Sequence, residues 1–420
     1  MSEGGPGSLR VLQLITRLNV GGPAKHVAWL MTGLPPERFT QKLVTGSLPP
    51  GEDDMGPWCR EIGVEFTVLP ELGRQVSPLD DLRALAGVFR LLWRFAPHVV
   101  ATHTSKAGFL GRAALVLYRP LARLCGRPRP GAVHTFHGHT FHGYFSPLTS
   151  RVFLAAERIL GRLATDRVVV ISPEQLREIR DVYRVAPARR FALLPLGIDL
   201  APFADPAPGR EAFRRELGLP AGAWLVGAVG RISPIKNYGL FLTAAARARE
   251  LSPDLASRLH VALIGGGPPE QVAALQSQAR DLGLAPVLHL LGNRDDPARF
   301  FPGLDALALT SRNEGTPMAI LEGGAVGLPV LATAVGGVPD LLGPEEGEAA
   351  SGVTRRERGL TTAAGEAEAL ARGLVWLAEH PGAARDLGAA LAAEVRRAYS
   401  RERLAADTAA LYEKVAGRGR

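Results

Sequence analysis

The sequence has only two cysteines and five lysines in 420 residues, and both scarcities exclude classes of protein. Cys59 and Cys125 are too few for a disulfide framework and lack the spacing of a structural zinc site. Because lysine is so rare, the net charge of +8 is carried by arginine. Such a basic surface attracts anionic partners, but charge alone selects neither nucleic acid, membrane nor phosphorylated substrate.

Several sequence signatures are also missing. No Asp-x-Asp triplet offers a carboxylate pair to a divalent ion, and no Walker or Gly-x-Gly-x-x-Gly motif supports a kinase or dehydrogenase. The longest stretch free of both charged residues and histidine, residues 323–339, is broken by prolines and glycines, so it predicts a helix, a turn and a buried strand instead of a membrane span.

Short apolar runs alternate with longer amphipathic ones along most of the chain, which predicts parallel sheets with helices on both faces. We expect helices at 80–95 and 148–163 and a helical tail over 365–417. Strands are predicted at 11–15, 41–45, 64–69, 98–102, 132–136, 167–171, 190–195, 224–229, 260–264, 287–291, 306–310 and 329–332.

The pattern stops and restarts around a Pro- and Gly-rich stretch, which predicts two domains. We expect an N-terminal domain over 1–195, a linker over 196–210, a C-terminal domain over 211–400, and a last helix over 401–420 that packs back on the N-terminal domain. The expected architecture is a pair of doubly wound, Rossmann-like α/β domains facing across a cleft. Ligands bind beyond the carboxyl ends of the strands in such sheets.

The segment SRNEGTPMAILEGG, which begins at Ser311, carries the strongest local signal. Thr316 is a plausible N-cap and Pro317 suits the first helical turn, so the helix start offers free amides to an anion such as a diphosphate. Glu314 then lies in the loop before the helix and Glu322 inside it, where both carboxylates can accept hydrogen bonds from sugar hydroxyls. The alternative is a capping loop with a solvated glutamate.

A second motif, GRISPIK, places Arg231 and Lys236 in a loop after a strand that ends near Gly230. Two cations at the carboxyl end of a strand suit a diphosphate leaving group, because they neutralise charge that grows as a glycosidic bond breaks. The alternative is a pair of solvated surface cations.

A third motif places Gly21 and Gly22 between the first strand and the first helix, which Pro23 opens. Glycine allows a ligand to approach the backbone closely. Taken alone, the motif indicates a tight turn equally well.

Four histidines, at 134, 137, 139 and 142, are close enough in sequence to suggest zinc. On a strand, His134 and His137 face opposite ways, and no cysteine or aspartate with ligand spacing accompanies them. We therefore predict no metal site.

The three motifs resemble those of glycosyltransferase family 4, as do THTSKAGFLGR, HTFHG, VVVISPEQ, PLGIDL and LIGGGP elsewhere in the chain. The resemblance implies a GT-B fold and sugar transfer with retention at the anomeric carbon. It implies that Arg231 and Lys236 hold the donor diphosphate. It further implies that Glu314 contacts the donor sugar and Glu322 the ribose.

By the same resemblance, His137 contacts the donor sugar and seven further residues complete the donor site. These are Gly21, Gly22, Gly265, Gly266, Thr316, Pro317 and Met318. The chain departs from the family pattern at three points: Pro97-His98 in place of Pro-Asp, Leu196 in place of Asn, and Gly323-Gly324 where alanine is usual. The charged set is unaffected.

Within the family, the chain looks most like hexosyl-transferring enzymes of cell-surface polysaccharide synthesis. We expect a UDP- or GDP-linked sugar donor, a glycan or lipid-linked acceptor, no cofactor and no nucleic-acid partner. Two alternatives stay open: a GT-B sugar-nucleotide epimerase, which needs no acceptor, and a non-catalytic nucleic-acid-binding module that uses the arginine excess.

The stretch from residue 109 to 130 interleaves apolar residues with arginine, at 112, 119, 123, 127 and 129. Basic and apolar side chains together can dock on an anionic lipid surface. The scarcity of cysteine fits a reducing compartment, so we expect a cytoplasmic protein. This stretch adds an expected peripheral contact at the inner face of the membrane. The alternative is a core helix followed by a solvated basic loop.

Overall fold

The computed structural model describes residues 8–49, 54–73, 77–137 and 147–417, the last of these with side chains from residue 150 on. The described chain forms two compact units. The N-terminal unit comprises the residues up to Gly197 and those from Arg401 on, and the C-terminal unit spans Ile198–Ser400.

The N-terminal unit is built on one parallel sheet. Its strands are β1 (Leu9–Ile15), β2 (Phe39–Thr45), β3 (Phe66–Val68), β4 (Val99–His103), β5 (Gly131–Thr135), β6 (Arg167–Val170) and β7 (Phe191–Leu193). Its helices before the crossing to the second unit are α1 (Gly22–Gly33), α2 (Gly56–Glu61), α3 (Pro78–Phe95), α4 (Ser105–Leu124), α5 (Pro147–Leu163) and α6 (Pro173–Leu176).

The C-terminal unit is built on a mixed sheet. Its strands are β8 (Trp224–Val229), β9 (Leu259–Ile264), β10 (Leu288–Leu290), β11 (Ala306–Leu309), β12 (Val330–Thr333), β13 (Glu345–Ala350), β14 (Val353–Arg356) and β15 (Gly359–Thr362). Its helices are α7 (Ala207–Glu216), α8 (Tyr238–Leu251), α9 (Pro253–Arg258), α10 (Pro269–Asp281), α11 (Pro297–Gly303), α12 (Met318–Ala325), α13 (Val338–Leu342), α14 (Ala367–Glu379) and α15 (Pro381–Ala398). The last helix, α16 (Arg401–Gly417), returns to the N-terminal unit.

Strand order reverses once in the doubly wound part of each sheet. The N-terminal order is β3-β2-β1-β4-β5-β6-β7, so the chain changes direction between β1 and β4. The C-terminal order is β10-β9-β8-β11-β12-β15-β14-β13, which reverses between β8 and β11. Ligands of doubly wound sheets bind beyond the carboxyl ends of the strands at this reversal. All twelve predicted strands are present, as β1 to β12, and the predicted fold class is confirmed.

Three strands were missed by the sequence analysis. β14 runs antiparallel to both β13 and β15, and together they extend the edge of the C-terminal sheet. β13 has the sequence EEGEAA, and its first four residues are exposed. A solvated, charged edge strand lacks the apolar alternation on which strand prediction depends.

Two predicted boundaries lie elsewhere in the structure. α12 begins at Met318, because Pro317 has extended backbone angles (φ −72°, ψ 112°) and stands outside the helix as its N-cap; the prediction of Thr316 as N-cap is wrong. α7 begins at Ala207, inside the segment that was expected to be a linker. This helix is part of a packed core, because Phe213 is fully buried and its ring packs near that of Phe300.

α16 covers one face of the N-terminal sheet. Leu411, Tyr412 and Val415 are buried in one apolar cluster with Val11 and Val99 of the central strands. Burying a large apolar side chain stabilises a fold by roughly 1.5–3 kcal/mol, so α16 is a substantial part of this core. No helix in the described ranges combines the length and apolarity needed to cross a membrane.

Candidate functional site

The loops after β8 and β11 bring Lys236 and Glu314 together at the strand-order reversal of the C-terminal unit. Lys236 Nζ donates to Glu314 Oε1 over 2.6 Å, and Ser311 Oγ donates to the same oxygen over 2.6 Å. The two side chains of the ion pair are 21% and 12% exposed. Both bonds use Oε1, and among the described residues no side-chain hydrogen bond to Oε2 of Glu314 is present.

Hydrogen bonds to the backbone hold the two loops in register. Thr310 Oγ1 donates to the carbonyl oxygen of Lys236, and Thr333 Oγ1 donates to that of Ser311 over 2.6 Å. The Arg312 amide donates to the carbonyl of Ile235 over 2.8 Å. These contacts fix the loop after β11 against the loop after β8, so the carboxylate and the ammonium meet in one geometry.

Arg231 lies on the same loop as Lys236 but is exposed. In the described part of the chain, its guanidinium takes part in no ion pair or side-chain hydrogen bond. Because Lys236 is paired with Glu314, Arg231 is an uncompensated cation among the described residues of this loop pair, as is the exposed Arg312 in the loop after β11.

The glycines at this site leave room for the backbone to approach closely. Gly230 and Gly265 have φ of 139° and 144°, which L-residues rarely adopt. A Cβ at Gly265 would lie 2.1 Å from the carbonyl oxygen of Gly230, so the loops after β8 and β9 touch there. Gly266 donates its amide to Asn293 Oδ1 over 2.7 Å, a partner that the sequence analysis missed.

The remaining predicted donor residues surround the start of α12. Thr316 and Met318 are half-buried, and Pro317 is buried. Glu322 is half-buried one turn into the helix. The helix packs tightly on its other side, where a Cβ at Gly324 would lie 2.8 Å from Leu391 of α15. The glycine pair that departs from the family pattern therefore serves helix packing.

In the N-terminal unit, Gly21 and Gly22 follow β1 and start α1. Gly21 is the N-cap residue in extended backbone (φ 162°), and Gly22 is the first helical residue, ahead of Pro23. Both glycines are half-buried. One turn further along α1, His26 is buried at the same edge of the sheet.

His137 lies beyond the end of β5, beside histidines from two other elements. His103 Nδ1 is 3.0 Å from His137 Nε2, and the ring centroid of His26 is 4.8 Å from that of His137. His134 instead lies 2.8 Å from Thr102 Oγ1, so the two rings have different partners, as strand alternation predicts. His139 and His142 lie outside the described residues.

Burial keeps this histidine cluster neutral. Burial, and then nearby Arg403, lowers the pKa of His26 to about 4. Burial, and then neighbouring histidines, holds the pKa of His103 and of His137 well below the ordinary 6.5. Burial and nearby Arg112 act in the same direction on the pKa of His134. At neutral pH each of these rings therefore carries one proton.

Three of the histidines lie close enough together to be compared with a metal site, although we predict that no metal is bound. Within the described ranges, His26, His103 and His137 each place one ring nitrogen within 4.8 Å of the others and could hold a metal ion. Both nitrogens of His103 already lie at hydrogen-bond distance from other side chains, His137 and Gln13. The absence of a metal site stays a prediction.

The basic stretch after residue 109 is largely committed to internal contacts. Arg112 is fully buried and forms a bidentate ion pair with Glu157 at 2.7 and 2.8 Å. Arg119 pairs with Asp166, and the Arg127 guanidinium lies 4.3 Å from the centroid of the Trp93 ring. These three arginines therefore have internal partners in the described structure, and the membrane contact stays a prediction. Their guanidinium groups are buried or in contact with other side chains of the same unit.

Comparisons with known proteins identify the family of the chain. Residues 209–393 match the model of group 1 glycosyl transferases, and residues 21–197 match that of the glycosyl transferase 4-like domain. A UDP-Gal:alpha-D-GlcNAc-diphosphoundecaprenol alpha-1,3-galactosyltransferase of Escherichia coli is 30% identical over 301 residues, covering 69% of this chain and 74% of that enzyme. The chain belongs to glycosyltransferase family 4.

Other members of the family and solved structures resemble it as well. A D-inositol 3-phosphate glycosyltransferase of Actinosynnema mirum is 33% identical over 341 residues, which are 77% of this chain and 76% of that enzyme. Anabaena HepE in complex with UDP has a TM-score of 0.77 at 20% identity, over 97% of this chain and 100% of HepE. That structural likeness shows the GT-B fold.

Two departures of this glycosyltransferase from the family pattern have structural roles. His98 Nδ1 accepts the Arg10 amide over 2.9 Å, so it joins the start of β4 to β1. Leu196 is buried, and its carbonyl accepts from Arg403 of α16 over 2.8 Å.

The sequence analysis missed several polar residues that support the two sites: Ser311, Thr333, Asn293, His26 and His103. A signal was present for some of them, since a histidine or serine at the carboxyl end of a buried strand lies where ligands bind. The partners that make them useful come from other strands, and sequence spacing does not give those contacts.

Proposed function

We propose that this enzyme transfers a hexose from a UDP-sugar, with retention, onto a lipid-linked acceptor in cell-surface polysaccharide synthesis. The observation that carries the proposal is the Lys236–Glu314 pair beside the free Arg231, at the strand-order reversal of the C-terminal unit. The E. coli relative, whose name gives a UDP-galactose donor and a diphosphoundecaprenol-linked acceptor, supports the donor and acceptor classes.

The charges of the site suit a leaving nucleoside diphosphate. Arg231 and Lys236 together carry two positive charges, and the ion pair with Glu314 cancels that of Lys236. A diphosphate recruits both cations and leaves the carboxylate of Glu314 to accept a hydrogen bond from the sugar. The positive charges then stabilise the phosphate oxygens as the bond to the anomeric carbon breaks.

A retaining reaction needs the acceptor to attack from the face that the diphosphate leaves, or a covalent intermediate. A covalent intermediate would need a nucleophilic carboxylate beside the anomeric carbon, and the sequence motifs identify none in that role. We favour same-face attack, with a donor phosphate oxygen taking the proton of the acceptor hydroxyl. With two cations for the diphosphate, we propose that no divalent metal is required.

The carrying observation is tested by removing each cation. Arg231→Ala and Lys236→Ala should each lower turnover roughly a hundredfold or more, because a preorganised charge is lost where charge develops. Arg312→Ala, which removes an exposed cation from the loop after β11, is the matched control and should keep turnover within a few-fold. Near-normal turnover in both cation variants would contradict the assignment.

A membrane contact was expected from the basic and apolar residues of 109–130. In the structure, the support for this contact comes mainly from exposed apolar side chains of α4. α4 exposes Val116, Leu117, Leu121 and Leu124 along one helix face, the last at 82% exposure. Arg123 is exposed on the same helix. Exposed apolar side chains beside a cation suit the surface of an anionic bilayer, where each cation adds about 1 kcal/mol.

Liposome co-sedimentation tests this contact. We expect binding to vesicles containing anionic lipid, weaker binding to neutral vesicles, and loss of binding when Leu117, Leu121 and Leu124 are replaced by serine. The matched control replaces Leu79 and Leu82, two exposed leucines of α3, by serine. Equal, negligible sedimentation with both vesicle types at low salt would favour a soluble acceptor.

A further inference from the structure

A chain of hydrogen bonds runs through the N-terminal unit from the backbone of α1 to His137, and its direction can be worked out. Gln41 Nε2 lies 3.2 Å from the carbonyl oxygen of Leu30 and 3.0 Å from that of Met31. A carbonyl oxygen only accepts, so the amide nitrogen of Gln41 must point there. Its Oε1 therefore faces Gln13, whose Nε2 donates to it over 3.3 Å.

The orientation of Gln13 then determines the protonated nitrogen of His103. With its Nε2 used toward Gln41, Gln13 presents Oε1 to His103 Nε2 at 3.0 Å. The Tyr412 hydroxyl lies 3.5 Å from the same oxygen. Since an amide oxygen only accepts, His103 must carry its proton on Nε2.

The same logic passes to His137. His103 is buried and neutral, so its Nδ1 bears a lone pair and no proton. Nδ1 lies 3.0 Å from His137 Nε2, which must therefore be the donor. His137 is itself neutral, which leaves its Nδ1 without a proton. Among the described residues, this buried Nδ1 has no hydrogen-bond partner.

We propose that Gln41, Gln13 and His103, here called the tautomer relay, act as positioning residues that hold His137 in its Nε2-protonated form. The lone pair of Nδ1 is then the one group that the ring can offer to a ligand. The ligand side of this proposal rests on the proposed sugar transfer and on the expectation, implied by the family resemblance, that His137 contacts the donor sugar. There the ring accepts a hydrogen bond from a sugar hydroxyl.

The relay has a consequence for the class of donor. A hydroxyl has a proton to give to the Nδ1 lone pair, whereas an ionised carboxylate or a phosphate has only lone pairs of its own. A buried acceptor facing another acceptor loses a hydrogen bond and is left unsatisfied. The site thus suits a neutral hexose. It disfavours a uronic acid whose carboxylate would face Nδ1 of His137.

The tautomer can be measured without any substrate. In protein labelled with ¹⁵N at histidine, two-dimensional NMR at pH 7.5 distinguishes protonated from lone-pair-bearing ring nitrogens, and comparison with His137→Gln assigns the His137 signals. We expect a protonated Nε2 and a bare Nδ1 in the wild-type protein. A protonated Nδ1 would overturn the proposal.

Two variants test whether the relay causes this state. Gln13→Leu and the milder Gln41→Leu, at a half-buried position, should each give His137 a mixture of tautomers. Gln278→Leu, which removes a glutamine of the C-terminal unit whose Nε2 donates to Gly239 and Thr243, is the control. It should leave the His137 signals unchanged. A single, wild-type tautomer in both relay variants, with native urea midpoints, would refute the relay.

Kinetics separate this proposal from the proposed function. If His137 reads the donor sugar, the relay variants should raise donor KM roughly tenfold with little change in kcat, because the contact is present in both ground and transition states. A relay confirmed by NMR, together with unchanged donor KM, would mean that the tautomer is set as proposed but that His137 does not contact the donor.

Discussion

The buried histidines make the N-terminal unit sensitive to acid, and His26 allows the size of the effect to be calculated. Its pKa is about 4 in the folded protein, against 6.5 in an unfolded chain. Between these values the unfolded chain binds the proton and the folded one does not, so stability falls as the pH falls below 6.5. From pH 8 to pH 5, His26 alone should remove about 2 kcal/mol of unfolding free energy.

Three other histidines act with the same sign, since burial lowers the pKa of His103, His134 and His137 as well. The N-terminal unit should therefore lose more than the contribution of His26. Carboxylates that form ion pairs also titrate toward pH 5, so the informative quantity is the change in pH dependence caused by one substitution.

Hydrogen exchange of the peptide that spans α1 reports on this unit without interference from the other. After correction for intrinsic exchange rates, its opening free energy should fall from pH 8 to pH 5 in the wild type. In His26→Gln the fall should be smaller by about 2 kcal/mol. His380→Gln, at an exposed histidine of the C-terminal unit, should leave it unchanged. An identical fall in wild type and His26→Gln would refute the reasoning.

Three further predictions concern the donor site and the core. Glu314→Gln should lower kcat more than Glu322→Gln, which should chiefly raise donor KM; equal effects on both parameters would contradict the division of roles. Activity should persist in excess EDTA, and a loss restored by magnesium or manganese would show that a metal is needed. Glu157→Ala should destabilise the protein by about 3–5 kcal/mol, because it leaves the buried Arg112 charge unpaired; Glu394→Ala, which breaks a pair with an exposed arginine, should shift the urea midpoint far less.

Much of the architecture could be predicted because its strands are buried on both faces. β8 is a continuous apolar run and β1 is apolar apart from Arg10 and Gln13, and the structure buries most of both strands. β13 could not be found in this way, since its glutamates are solvated and its position depends on pairing with β14. Strand prediction therefore succeeded where burial determines the amino-acid composition. It failed at the edge of the sheet, where pairing with a neighbouring strand determines the position of the strand.

The charged residues of the donor site could be identified from their places after strands, but their contacts could not. Nothing in the sequence joins Lys236 to Glu314, which are 78 residues apart and meet over 2.6 Å. Gln13 carried a weak signal, as an amide inside an apolar strand. Its partners, His103 and Gln41, come from other strands, so its role depends on the sheet order.

The return of α16 to the N-terminal unit sets an order of events during synthesis. β1–β7 leave the ribosome with the last face of their sheet uncovered, and the helix that covers it follows about 200 residues later in the chain. At translation rates of about 5–20 residues per second, that is a delay of roughly 10–40 s. The C-terminal unit, contiguous over Ile198–Ser400, can complete its fold within this interval. The first unit to emerge is therefore the last to be finished, and until then its apolar face is available to chaperones.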